Sequence, residues 1–114
     1  MPLLKIQTNQ APSTETEQTL LKKASATVAA LLGKSENYVM VALETEAPML
    51  FAGDNAALAY LELKSIGLPG STTTELSQAL CALIQEHLNI DPARIYIEFS
   101  DAERNMWGWN GRTF

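Results

Sequence analysis

Few groups in this sequence are equipped for chemistry, and the most unusual of them is a backbone nitrogen. The chain opens Met1-Pro2-Leu3-Leu4-Lys5-Ile6. Aminopeptidases remove an initiator methionine when the next residue is small, and proline qualifies. Pro2 would then carry a free secondary amine fused to an apolar strand. A free α-amine titrates near ~8 in unstructured peptides, and burial or a nearby cation draws it towards neutrality. Such an amine is a general base built into the chain terminus. The plainer reading is a tolerated Met-Pro start, since proline often occupies a strand's first residue. These residues alone leave both readings open.

The other candidates are thin. A single cysteine, Cys81, excludes an intrachain disulfide, and one Cys with one His makes no zinc set. No cofactor and no metal are expected. A net charge of -5 and a pI near 4.7 argue against nucleic acid as a partner, which requires clustered Lys and Arg. No apolar run reaches the roughly 20 residues of a membrane span. The N-terminus also lacks a charged region followed by an apolar run and a cleavage site. A cytoplasmic protein without a membrane partner is the expectation.

The elements that must position Pro2 follow from periodicity. Residues 3–9 read as a short strand ended by Gln10-Ala11-Pro12. Thr14-Glu15-Thr16-Glu17 matches a capping box with Thr14 as N-cap. Leu20, Leu21, Ala24, Val28, Leu31 and Leu32 then recur at helical spacing, and Gly33 supplies the stop. Tyr38 to Leu43 reads as a buried strand parallel to the first, joined by a right-handed crossover. Residues 44–53 read as a loop, broken at Pro48 and Gly53-Asp54.

The second half repeats the plan. Leu61 to Ile66 resembles the first strand in pattern and runs into the turn Gly67-Leu68-Pro69-Gly70. Thr72-Thr73-Thr74-Glu75 is a second capping box, followed by the stripe Leu76, Leu80, Leu83, Ile84 and Leu88. Arg94 to Phe99 alternates, with Ile95, Ile97 and Phe99 on one face and Tyr96 and Glu98 on the other. The expectation is one α/β (α+β) domain over residues 1–114, an internal repeat of about 2–57 and 58–114. Each half is a βαβ unit, and together they make a four-stranded mixed sheet with two helices on one face. The tail carries Trp107, Trp109 and Phe114, too much aromatic surface to leave frayed in water. A symmetric ring of copies would cover the bare sheet face and use the tail as a strap.

In order along the chain, the Met-Pro start, Gly33-Lys34, Tyr38, Met49-Leu50-Phe51, Ser65-Ile66-Gly67, Arg94-Ile95-Tyr96-Ile97, Gly108-Trp109-Asn110 and Thr113-Phe114 form a recognisable series. With them the chain resembles, nearly end to end, the macrophage migration inhibitory factor branch of the tautomerase superfamily. The resemblance implies a homotrimer with active sites at subunit interfaces. It also implies a tautomerase that interconverts keto and enol forms of arylpyruvates such as phenylpyruvate. Pro2 falls on the family's catalytic proline, exposed by methionine removal. Lys34 would hold the substrate carboxylate and disfavour a protonated amine nearby. Ile66 would offer a backbone N–H and apolar surface, and Tyr96 would reach in from the adjacent subunit. Trp109 and Phe114 would wall the aromatic ring. Without the resemblance, Lys34 reads as a solvated lysine after a helix end, Tyr96 as a sheet-face tyrosine, and Trp109 and Phe114 as strap packing.

Four departures from the family pattern carry consequences. Glu98 replaces an asparagine that contacts phenol-bearing ligands in the mammalian cytokine, and a carboxylate cannot donate that hydrogen bond. Its charge would also repel an anionic substrate or raise the pKa of Pro2. Trp107 replaces a smaller residue beside the pocket and would narrow it. The family's Cys-x-x-Cys is Leu58-Ala59-Tyr60-Leu61 here, and its receptor-contacting arginine falls near Ser13. Cys81 is expected to be an inert small hydrophobe inside the second helix. The alternative to an enzyme is a cytokine-like binding protein that keeps the pocket, meets a protein receptor through its surface and tautomerises only incidentally. Secretion by a non-classical route would accompany that resemblance.

Overall fold

The computed structural model describes residues 1–114. Strand β1 (Leu3–Thr8), helix α1 (Thr14–Leu32) and strand β2 (Met40–Glu44) form a first β-α-β unit. Strand β3 (Ala59–Ile66), helix α2 (Thr73–Leu88) and strand β4 (Ile95–Ala102) form a second. The sheet order is β2-β1-β3-β4, with β1∥β2 and β3∥β4 parallel and the central pair β1/β3 antiparallel. The expected four-stranded mixed sheet with two helices is the architecture observed.

Alternation fixes which face is buried. Leu4 and Ile6 of β1 and Leu61 and Leu63 of β3 point under the helices, where they meet Leu20, Val28, Leu76, Leu80 and Ile84 in one core. Burying a large aliphatic side chain of this kind is worth about 1.5–3 kcal/mol, so this layer supplies most of the driving force for the fold. The opposite face is polar: Lys5, Gln7, Tyr60, Glu62, Lys64, Tyr96 and Glu98 lie on it. Tyr60 Oη meets Glu62 Oε1 at 3.2 Å, and Lys64 Nζ lies 3.4 Å from Glu62. Desolvation opposes the Glu62 carboxylate. Hydrogen bonds from Lys64 and Tyr60, with the charges of Lys64 and Lys5, nonetheless hold its pKa below the usual value. The Tyr60 phenol is pushed up by desolvation, by its bond to Glu62 and by the Glu62 and Glu98 charges.

The helix starts differ from the sequence expectation. Ser13, not Thr14, is the N-cap of α1, and its Oγ accepts the Thr16 N–H at 3.1 Å. Ser13 is extended at ψ 158°, the non-helical backbone of an N-cap residue, so the helix starts one residue earlier than the capping-box pattern places it. The second capping box does not form. Gly70–Thr72 already winds as a 3-10 turn, so the Thr72 hydroxyl donates to the Pro69 carbonyl at 2.8 Å instead of capping α2. Tyr38 is likewise not in a strand. Ser35 caps a 3-10 turn over Glu36–Tyr38, and β2 begins only at Met40.

Two tight turns show opposite chemistry. Strands β5 (Gly108–Trp109) and β6 (Arg112–Thr113) are joined by Asn110-Gly111, both at positive φ (52° and 73°), the residue pair a two-residue hairpin favours. Phe51 and Asp54 bridge across Ala52-Gly53, also at positive φ (52° and 79°). Ala52 is strained there, because its Cβ crowds the backbone. That strained turn is held from outside by Arg94. The guanidinium donates to the carbonyls of Phe51, Asp54, Ala56 and Ala57 at 3.0–3.3 Å and pairs with Asp54 at 2.8 Å.

Candidate active site

Pro2 sits at the head of β1, fully buried, and its carbonyl accepts the Met40 N–H at 3.0 Å. Leu3 pairs with Lys64 in the antiparallel ladder, so Pro2 lies beside the Ser65-Ile66 end of β3. Lys34 reaches the same place by a local route. Gly33 takes up φ 62° and ends α1, and the Lys34 N–H closes on the Ala29 carbonyl at 2.9 Å. Its side chain then runs to the Ile66 carbonyl, with Nζ 3.4 Å away. Helix end, strand head and strand tail thereby converge.

Over Pro2 opens a cavity of about 370 Å3, walled by Tyr38, Trp107, Trp109 and Phe114 with Met1 beside it. Trp109 and Phe114 stack at 5.7 Å and 15°, and Tyr38 meets Trp109 edge-on at 5.7 Å. The strap packing and the aromatic wall expected from the tail are thus one arrangement within a single chain. A pocket of this composition suits a planar apolar ring better than a polar ligand. A larger, shallower groove of about 680 Å3 runs along Ala47, Pro48, Met49 and Leu50 between Asn9 and Asn55. It holds no acid, base or nucleophile.

The electrostatics of the cavity favour a neutral amine. Burial, and after it the Lys34 charge, lower the pKa of the Met1 ammonium from its ordinary value. With Met1 in place the Pro2 nitrogen is an amide and has no basicity. Any amine presented by Pro2 itself would lie deeper, since Pro2 is buried where Met1 is half-exposed.

Of the candidate residues, Pro2, Lys34, Ile66, Trp109 and Phe114 gather at this end of the sheet. Tyr96 and Glu98 do not. Tyr96 pairs with Tyr60, six residues from Ile66 along β3, or about 20 Å at ~3.3 Å per residue. It is 66% exposed and meets the Phe51 ring at 4.9 Å. Glu98 lies on the polar sheet face directly across from Glu62. Tyr38 was not among the residues expected to bind a ligand. It was assigned to a strand, and only the Ser35-capped turn swings its ring against Trp109. Cys81 is half-buried, and burial raises its thiol pKa against an opposing hydrogen bond from Ser77. It is far from a reactive thiolate.

Comparison with known proteins agrees with this geometry. The family model for macrophage migration inhibitory factor matches residues 1–114. A macrophage migration inhibitory factor homolog of Brugia malayi is 38% identical over 115 residues, covering 100% of this chain and 99% of that one. The macrophage migration inhibitory factor of Mus musculus is 33% identical with the same coverage. Among solved structures, the homologue from Prochlorococcus marinus superposes with a TM-score of 0.94 at 43% identity, over 98% of each chain.

Proposed function

As the chain belongs to the macrophage migration inhibitory factor family, we propose that it is a keto–enol tautomerase of arylpyruvates such as phenylpyruvate. One observation carries this reading: a fully buried Pro2 lies on the floor of an aromatic-walled cavity, next to Lys34. Removal of Met1 turns the Pro2 amide into a secondary amine. Lys34 and the low-polarity surroundings then keep it largely neutral near neutral pH.

In the enolisation direction the Pro2 nitrogen takes a proton from the benzylic carbon next to the carbonyl. The C–H electron pair becomes the C2=C3 double bond, and the carbonyl electrons move to oxygen. The ammonium then returns the proton to that oxygen, leaving the enol and the neutral amine. Ketonisation is the same path reversed. Lys34 holds the substrate carboxylate, aided by the Ile66 backbone N–H. Tyr38, Trp109 and Phe114 clasp the ring, which orients the reacting carbon. Tyr96 and Glu98 enter from a neighbouring copy in a homotrimer. The exposure of Tyr96, Met40 and Leu50 on a single chain supports that assembly. Sedimentation should then report three times the 12.5 kDa chain mass.

The decisive experiment pairs intact mass with a phenylpyruvate ketonisation assay on one preparation. Turnover is expected where methionine is absent and not where it is retained. A trimmed, folded protein with no turnover sinks the enzyme reading.

A further inference from the structure

Arg112 stands directly across from Trp109 in the β5/β6 ladder. Paired residues of an antiparallel hairpin project to the same face. Trp107 and Phe114 share that face one step along, with the Phe114 N–H donating to the Trp107 carbonyl at 3.2 Å. The Arg112 guanidinium carbon lies 5.3 Å from the centre of the Trp109 ring, on which Phe114 also stacks. The aromatic wall over Pro2 therefore ends in a cation.

That cation is unspent. No carboxylate comes within ion-pair distance of Arg112, whereas Arg94 is bound to Asp54 at 2.8 Å. The residue is exposed, and its contact with the indole face leaves its N–H edges free. At the other end, Lys34 lowers the pKa of the terminal amine and pairs with no carboxylate either. A chain of net charge -5 thus keeps two cations without a carboxylate of their own chain close to one apolar cavity: Lys34 behind Pro2, and Arg112 resting on the cavity-lining Trp109.

The geometry points to Arg112 as a specificity-determining residue that receives a second anionic group, at the end of the substrate ring remote from the oxo acid. The favoured substrates are then dianionic aryl 2-oxo acids rather than phenylpyruvate itself. A guanidinium rested on an indole is partly pre-ordered, so binding an anion costs it less freedom, and its fork matches a carboxylate bidentately. This rests on the tautomerase reading but is separable from it by experiment, and it requires that Arg112 outweigh the charge of the Glu98 entering from the neighbouring copy.

Specificity constants for 4-carboxyphenylpyruvate and phenylpyruvate should be measured for the trimmed protein and for Arg112→Gln and Arg112→Lys. The unmutated protein is expected to favour the ring carboxylate by about tenfold, chiefly through KM, and less so in high salt. Arg112→Gln should erase that ratio and Arg112→Lys should restore part of it. Trp fluorescence titrations with 4-carboxycinnamate and cinnamate read the same preference without turnover. If neither oxo acid reacts but the binding preference is present and lost in Arg112→Gln, the tautomerase reading fails and the anion subsite stands. If Arg112→Gln discriminates as the unmutated protein does, or only dissociates the assembly, the subsite is overturned.

Discussion

The two ends of this sheet carry similar residue types and do opposite things with them. At the proline end, Tyr38, Trp107, Trp109 and Phe114 gather over Pro2 and wall a half-open cavity. At the tyrosine end, Phe51 and Tyr96 also form an edge-on aromatic pair, but Tyr96 stays 66% exposed and encloses nothing. Strand polarity makes the difference. The antiparallel β1/β3 pairing brings the start of β1 to the end of β3, while parallel pairing keeps the start of β4 at the start of β3. Residues that belong to one site on paper are therefore separated by the length of a strand. The proline end gathers its base and aromatic wall within one chain; under the proposed trimer the tyrosine end of a neighbour completes it.

The sharpest break in that comparison is Pro2→Gly. It exchanges a rigid secondary amine for a mobile primary one; a positioned general base is worth about 100- to 10,000-fold, so kcat/KM for phenylpyruvate should fall by ~100-fold. A partner-binding protein with incidental activity would lose the turnover yet keep its partner, which a pull-down with the same variant reads. At the opposite end, Arg94→Met releases the strained Ala52 turn and leaves Asp54 and four carbonyls without their shared donor. Thermal denaturation should show a loss of about 2–3 kcal/mol, part of the pair being solvent-screened. An unchanged midpoint would mean the turn holds itself.

Lys34→Gln tests the electrostatics of the proline end. The KM for phenylpyruvate should rise about tenfold as a charge-assisted contact is lost. The pH profile should move as well. Because the amine acts only when unprotonated, activity falls as pH drops through its pKa. Removing the nearby cation raises that pKa, so the acid limb should shift to higher pH. The smallest effect belongs to Glu98→Asn. Removing one of two carboxylates placed directly across β3 and β4 should stabilise the fold by about 0.3 kcal/mol and let the Tyr60 pKa fall back, as NMR titration would show. The same variant should raise turnover of hydroxyphenylpyruvate relative to phenylpyruvate. Equal ratios before and after would remove Glu98 from the specificity account.

The strands and helices were legible in the sequence because their periods are long and clean: Leu61, Leu63 and Ser65 alternate with polar residues, and Leu76, Leu80 and Ile84 recur helically. Helix starts were less so, since whether a hydroxyl caps depends on backbone one or two residues earlier. One cap fell on Ser13, a residue before the expected one, and a 3-10 turn took Thr72 out of use. The site was the least legible. Pro2 and Trp109 stand 107 residues apart with Lys34 between them, and no spacing rule joins them; only resemblance put them together. Arg112 is given no role by the sequence reading although a signal was present. Asn110-Gly111 is a strong hairpin pair, and reading it as one sets Arg112 opposite Trp109 at once.

Pro2 meets the sheet through its carbonyl alone. That oxygen takes the Met40 N–H, while proline nitrogen, with no hydrogen of its own in the amide, donates nothing to any neighbour. Cleaving the bond before it therefore breaks no ladder hydrogen bond, and the one new polar group it creates is the amine itself. The ladder is indifferent to the event that arms the site; trimming exchanges Met1 at the cavity for an amine with its own N–H and lone pair.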